Sequence, residues 1–360
     1  MADDHGADVL DKKTKRRLYD RKKQKKKQAE LKKLQSLVQN LMQRASQMQY
    51  FKQTMLPWKD IAITLGRETA ESVDMNRMLR GELYQVESLA HALSRWVEKM
   101  TNNPVLHSPN DHPFTLQYTS LPETESVRRH GFDWITKHLF HNIDRAMRQV
   151  HFPSNLSEYL NIDAAFTPDT HVITTVNQRV EPVSLDVAAG CLKHQVFNYP
   201  GSVEVCLHSK DVLHDMQVLD TLDEGMQYLR FKASAADHTF YENTLFREFR
   251  QRNRYVIIVH IISEDDKHPQ QGARRNWTQW IVADVVDENH TLIRECLTWY
   301  GLRTPNKYLP VEESTSFGPK LISYPDEETK LSIYRRLLES VQYSSIREDW
   351  QQFRELAQRK

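Results

Sequence analysis

A block of positive charge that runs without a breaker into a heptad pattern constrains this chain more than any other feature. Between Lys12 and Lys33 there are thirteen Lys or Arg residues against Asp20 and Glu30, a local net charge of +11 in a chain whose total is +1. From Leu31 the apolar residues fall into two columns, Leu31, Val38 and Ala45 at position a and Leu34, Leu41, Met48 and Met55 at position d. Alternate spacings of three and four keep one stripe on one helix face, and a strict 3.5-residue repeat favours packing on a second helix over burial in a globular core. Lys52 at the next a position, and then Pro57, end the pattern. Residues 1–11 are read as a disordered acidic tail and residues 12–56 as one basic and heptad helix.

Four acids precede Lys12, so residues 1–33 carry +7 and the rest of the chain carries −6. A mildly acidic body has no bulk electrostatic reason to bind nucleic acid, and any polyanion is expected at the arm. With 39% hydrophobic and 27% charged residues the 360-residue chain has room for one sizeable core and helical extensions. No run of 18 apolar residues marks a transmembrane helix. The acidic start lacks an apolar signal core, so the expected location is nuclear or cytoplasmic, not secreted. Cys191, Cys206 and Cys296 are too few and too scattered for a disulfide framework or a zinc cage.

Basic run followed by heptads resembles a basic leucine zipper, a family of dimeric DNA-binding proteins. The resemblance implies a homo- or heterodimer through Leu31, Leu34, Val38, Leu41 and Met48. It also implies DNA phosphate contacts from Lys15, Arg16, Arg17, Arg21, Lys22, Lys23, Gln24, Lys25 and Lys26. The family's base-reading Asn is absent: no Asn precedes Asn40, and Arg16 and Gln24 stand where the family's Asn and later Arg would be. A solvated basic tail or an import signal is the alternative for the same charge.

Past Pro57, Trp58, Ile61, Leu65, Met75, Leu79, Val86, Leu89, Leu93, Trp96 and Met100 keep helical spacing, so residues 57–101 are expected as a second amphipathic helix. Four prolines between 102 and 125 mark a linker. Helical spacing returns over residues 127–150. His138, His141 and Asp144 share one face there, but without a fourth ligand no metal site is expected.

Then the texture becomes strand-like. Residues 170–183 read as one strand or a bent pair, and residues 184–197 as a helix capped by Ser184 or Asp186. Strands follow at 203–208, 215–221, 226–233 and 240–250, with a turn at Asp223, Glu224 and Gly225. YVIIVHIIS at 255–263 is apolar on both faces and is expected at the centre of a sheet. The acids Glu264, Asp265 and Asp266 open a polar loop and read as a solvated turn. Residues 277–286 and 291–300 pair as a hairpin, and residues 325–358 form one long helix or two.

This order predicts an α+β fold, a curved antiparallel sheet around a C-terminal helix. TLDEGMQYLRFKA, FREFRQRNRYVIIVHIISEDD, NWTQWIVADVV and the terminal helix make residues 126–360 resemble a START-type helix-grip domain. The whole arrangement, with the basic coiled coil and the Trp-led helix in front, is similar to an oomycete group of START-like proteins, some of the mating-specific type. That resemblance implies a non-enzymatic protein that binds a lipid or other apolar ligand, with no cofactor. In the alternative the domain is a sensor or scaffold on a DNA-associated regulator.

No G-x-S-x-G elbow, Walker A loop, G-x-G-x-x-G, H-E-x-x-H or paired-Cys motif occurs, which favours binding over catalysis. Candidate pocket walls are Ile257, Val259 and Ile261 or their alternates Val256, Ile258 and Ile262, with Trp280, Ile281, Leu337 and Val341 as lids. Arg254 and His260 are the candidate polar anchors.

Overall fold

The computed structural model describes residues 4–50, 58–101, 118–166, 170–198, 216–223, 225–235, 238–304 and 307–359. The chain divides into two units, Met1–Tyr84 and Gln85–Lys360.

The first unit is helical. Helix α1 (Asp4–Tyr50) runs through the basic block and the heptads as one element, beginning inside the segment expected as an acidic tail. Its stripe faces solvent: Leu31, Leu34 and Leu41 are each more than half exposed, and Met48 is 79% exposed. Helix α2 (Trp58–Thr101) starts in this unit and carries Gly66 and Gly81 in its interior, where a Cβ would meet nothing. Its early apolar residues, among them Trp58, Leu65, Met75, Leu79 and Leu83, are exposed as well, with Ile61 half-buried.

The second unit is built on a two-strand parallel patch, β1 (Ser120–Leu121) with β8 (Glu264–Asp265), and on an eight-stranded antiparallel sheet. The eight strands are β2 (Tyr159–Phe166), β3 (His171–Glu181), β4 (Gln217–Asp220), β5 (Met226–Ala235), β6 (His238–Arg250), β7 (Arg254–Ile262), β9 (Trp277–Asp287) and β10 (His290–Tyr300). Their order across the sheet is β2-β3-β10-β9-β7-β6-β5-β4. Strand β7 lies between β9 and β6 with its side chains buried on both sides, as a strand without polar alternation must. The hairpin of β9 and β10 closes at Asp287, whose carboxylate accepts from the Asn289 N–H at 2.8 Å. Gly225, at φ +81°, turns the chain into β5 with Met226 N–H on the Asp223 carbonyl.

Each face of the sheet holds its own core. On one lie α5 (Leu185–Lys193), its π-helical continuation His194–Asn198, and the 31-residue α8 (Glu327–Ala357). Asp326 caps α8 by accepting from Thr329 N–H at 2.7 Å. On the other lie α3 (Glu125–His141), α4 (Ile143–Gln149) and the last turns of α2, where Trp96 is buried and donates to the Ser120 carbonyl at 2.6 Å. Two short helices, α6 (Val311–Ser314) and α7 (Gly318–Leu321), join β10 to α8. The predicted helix-grip arrangement is present.

Several local expectations need correction. Residues 127–150 form two helices broken at Asn142, and residues 325–358 form one. Strand β1, buried inside the segment expected as linker, strand β2 and helices α6 and α7 had no counterpart in the sequence reading. The expected strand at 203–208 and most of the linker at 102–117 lie outside the described residues. The acids after β7 are not a solvated turn. The Asp265 side chain is fully buried, and Arg128 forks onto it at 2.8 and 2.7 Å while Tyr228 Oη donates at 2.6 Å. Arg128 also meets Asp220 at 2.6 Å, so a buried charge network pins the loop to α3.

Candidate functional site

The alternation left open by the sequence is settled by the two cores. Ile257, Val259 and Ile261 face α5 and α8, while Val256, Ile258 and Ile262 face α3. The first set are candidate walls on the correct side but are fully packed, while Ile281 beside them lines the small cavity under the end of α8. The space they were expected to line is filled by Tyr334 and Leu338 of α8, both 0% exposed.

The lids and anchors fall elsewhere. Trp280 belongs to the opposite core and donates to the Leu139 carbonyl of α3 at 3.4 Å. Leu337 and Val341 lie off the inward stripe of α8, which runs Tyr334, Leu338, Gln342, Ile346, Trp350 and Phe353. The stripe recurs at three and four residues, and the two lid candidates sit one position before its Leu338 and Gln342. His260 also faces the α3 side, bonded to Thr119 Oγ1 at 3.1 Å and Thr278 Oγ1 at 2.8 Å. Burial pushes it down to about 3, so it is a neutral core histidine. Arg254 is an outer ion-pair residue, on Asp284 at 2.6 Å and Asp144 at 2.9 Å. Asp144 is thereby occupied, and His138 stacks on Trp134 with ring centroids 5.0 Å apart.

Two spaces remain along α8. Under its C-terminal half is a small cavity of about 40 Å³ with a mixed lining, polar at Thr175, Asn177, Arg179, Gln195, Gln279 and Glu295 and apolar at Leu192, Val196, Ile281, Leu297, Ile346 and Trp350. Arg179 crosses it, 2.8 Å from Glu295 and stacked over Trp350 and Phe353 at 5.4 and 5.3 Å. That volume holds about three waters and no lipid.

At the other end of α8 an open cleft of about 570 Å³ is lined by Phe166, Thr170, His171, Lys307, Tyr308, Leu309, Pro310, Val311, Glu327 and Leu331. Three elements meet there: the ends of β2 and β3, the segment between β10 and α6, and the first turns of α8. Lys307 and Glu327 carry the charge, and the wall is about equally polar and apolar.

His171 closes the inner side of the cleft, with Tyr334 and Trp299 edge-on at 5.5 and 5.8 Å. Burial, with Arg275 adding to it, pushes His171 down to about 3, so the imidazole is neutral at physiological pH. At the same end of the sheet Glu242 accepts from Trp277 Nε1 at 3.3 Å. Burial raises Glu242 to about 7 against the opposing pull of Arg275 and Trp277. Of the cleft's own residues, a neutral His171 is less costly for an apolar guest to desolvate than a charged imidazole would be.

Sequence reading missed Phe166, His171 and residues 307–311 as site residues. The one signal for them is the apolar island Tyr308, Leu309, Pro310 and Val311 in an otherwise polar connection. On α1 the expected basic residues, from Lys15 to Lys26 with Gln24 among them, are all exposed. Among the described residues no group of His, Cys, Asp or Glu could hold a metal ion, and no helix is long and apolar enough to cross a membrane.

No family model matches the chain, and no curated protein matches it. Among solved structures it is similar to the Zhui aromatase/cyclase from Streptomyces sp. R1128, at 12% identity over 52% of this chain and 95% of that one, with a TM-score of 0.32. It is similar to human STARD10 at 9% identity over 58% and 80%, with a TM-score of 0.31. The human StarD13 (DLC2) lipid transfer and protein localization domain matches at 13% over 50% and 89%, with a TM-score of 0.27. At those scores the likenesses carry no argument about ligand or chemistry, and the helix-grip architecture stands on the strand order and helix placement above.

Proposed function

We propose that the unit Gln85–Lys360 binds a small apolar molecule, without turning it over, in the cleft at the start of α8, and that α1 pairs with a second copy of the chain. The observation that carries the binding reading is the open cleft of about 570 Å³ where Phe166 and His171, residues 307–311 and Leu331 of α8 meet. Pockets for small ligands occupy roughly 300–1,000 Å³, a range that takes in the open cleft and not the inner cavity. The expected lipid-sized hollow is thereby moved from the middle of the grip to its mouth.

Support for the arm is the exposed a/d stripe of Leu31, Leu34, Val38 and Leu41 on one uninterrupted helix. Continuity of that helix with the basic block also keeps the regulator reading in play, with Lys15–Lys26 along DNA phosphates of a paired α1. The oomycete START-like resemblance is offered on the order of elements alone.

Native mass spectrometry of the full chain tests both halves. The expected spectrum is a dimer with an apolar adduct, and Leu331→Trp, which fills the cleft from α8, is expected to give a dimer without one. A monomer would sink the arm reading. An adduct that survives Leu331→Trp would sink the cleft.

A further inference from the structure

Arg303 is less well satisfied than the other buried arginines, of which Arg179 and Arg275 also leave Nε without an acceptor. Arg128 is forked onto Asp265, Arg179 meets Glu295, and Arg275 donates to the Ser314 carbonyl at 3.0 Å. Arg303 is as deeply buried, at 4% exposed, yet neither its Nε nor its Nη2 has an acceptor and it forms no ion pair among the described residues. A guanidinium is always charged near neutral pH and has five N–H groups to satisfy, so a buried one without an anion marks a place where an anion belongs.

The local backbone says which groups would share that anion. Arg303 bridges Arg274 on one side, with N–H···O bonds of 2.7 and 2.8 Å in the two directions, and Tyr308 on the other. Residues directly opposite across an antiparallel bridge project to the same side, so Arg274, Arg303 and Tyr308 form a row. Leu302, next in the chain, points the other way into the grip core. Like charges directly opposite one another destabilise a bridge unless something negative lies between them. Arg274 directs its Nη1 and Nη2 to Ser263, Glu264 and Gln270, but its buried Nε also lacks an acceptor. Burial, reinforced by Arg274 and opposed by Tyr308, Glu264 and Tyr118, pushes the Arg303 pKa down, the direction expected of a cation short of countercharge.

We propose that Arg303, with Arg274 and Tyr308, is a binding site for a phosphate-type oxyanion. Unmet donors on two guanidiniums that project from the same side of one bridge suit an anion with oxygens on several sides better than a planar carboxylate. Tyr308 also lines the cleft, so the phosphate is either free or carried by an amphiphile seated there. The anion site itself does not depend on the cleft reading.

The test is thermal melting of the full chain in chloride and in low-millimolar inorganic phosphate at equal ionic strength, since a ligand of the native state alone raises Tm with its concentration. Phosphate is expected to raise the Tm of the unmodified chain. Arg303→Met is expected to melt no lower than the parent in chloride and to weaken the phosphate response by about tenfold or more. Arg274→Gln, at a less buried position, is expected to weaken it in the same direction and serves if Arg303→Met does not fold. Short-chain phosphatidate compared with the matching diacylglycerol separates the sources: a larger shift with phosphatidate than with inorganic phosphate assigns the site to a head group, and an equal or smaller one to the free ion. No phosphate effect on the parent, or an undiminished effect in both variants, overturns the proposal.

Discussion

Replacing Asp265 by alanine is expected to cost about 3–5 kcal/mol, the size of loss seen when one partner of a buried ion pair is removed and the other stays. Asp265 receives both arms of Arg128 and the Tyr228 hydroxyl, and through Asp220 the network reaches Lys267 at 2.5 Å. The penalty comes less from the lost attraction than from leaving the Arg128 guanidinium, 0% exposed, with only Asp220 and the Pro122 carbonyl. Chemical denaturation of the full chain followed by tryptophan fluorescence reads the effect directly.

The same network fixes an acid dependence. Burial tends to raise Asp265 and Asp220, but hydrogen bonds from Arg128 and Tyr228 to the first, and from Lys267 and Arg128 to the second, hold both below the usual carboxylate range. A carboxylate depressed in the folded state contributes stability that is fully present above its unfolded pKa, about 3.9 for Asp, and that is lost as pH falls through the folded value. The parent is therefore expected to lose stability on acidification below about pH 4, and Asp265→Ala to show a shallower fall.

Replacing Trp280 by alanine is expected to cost about 3–5 kcal/mol as well, through a cavity in the core opposite α8. The indole is 1% exposed and packs with Ile258, Val256 and Leu139 behind the sheet. Its distinctive consequence is functional silence. Because Trp280 faces away from the cleft, the folded fraction of Trp280→Ala should bind an apolar probe with the parent's affinity. A selective loss of binding at unchanged stability would return Trp280 to the lid role the sequence suggested.

Why some of this was legible and some was not follows from the double-sided sheet. With α5 and α8 on one face and α3, α4 and the end of α2 on the other, β7 is apolar throughout, so its central place could be read but not which residues face the grip. The β9 and β10 hairpin and the long α8 announced themselves by turn residues and helical spacing. The phase of α8 did not, because its inward stripe includes Gln342, 0% exposed and bonded through its Oε1 to Thr175 at 2.7 Å. A polar core position bonded only to a strand 167 residues away leaves no local mark. Asp265 was misread for the same reason, since its neighbours are acidic and its partner Arg128 lies 137 residues earlier. The cleft is assembled from three separate segments, each unremarkable alone, and only folding makes them one wall.

Photo-crosslinking the full chain with a diazirine-bearing alkyl probe, followed by peptide mapping, tests the location of the binding space most directly. The account predicts adducts on Phe166, on residues 308–311 and on Leu331, suppressed by Leu331→Trp. Adducts concentrated on Ile257, Val259 and Ile261, or around Trp350 beneath the far end of α8, would contradict it.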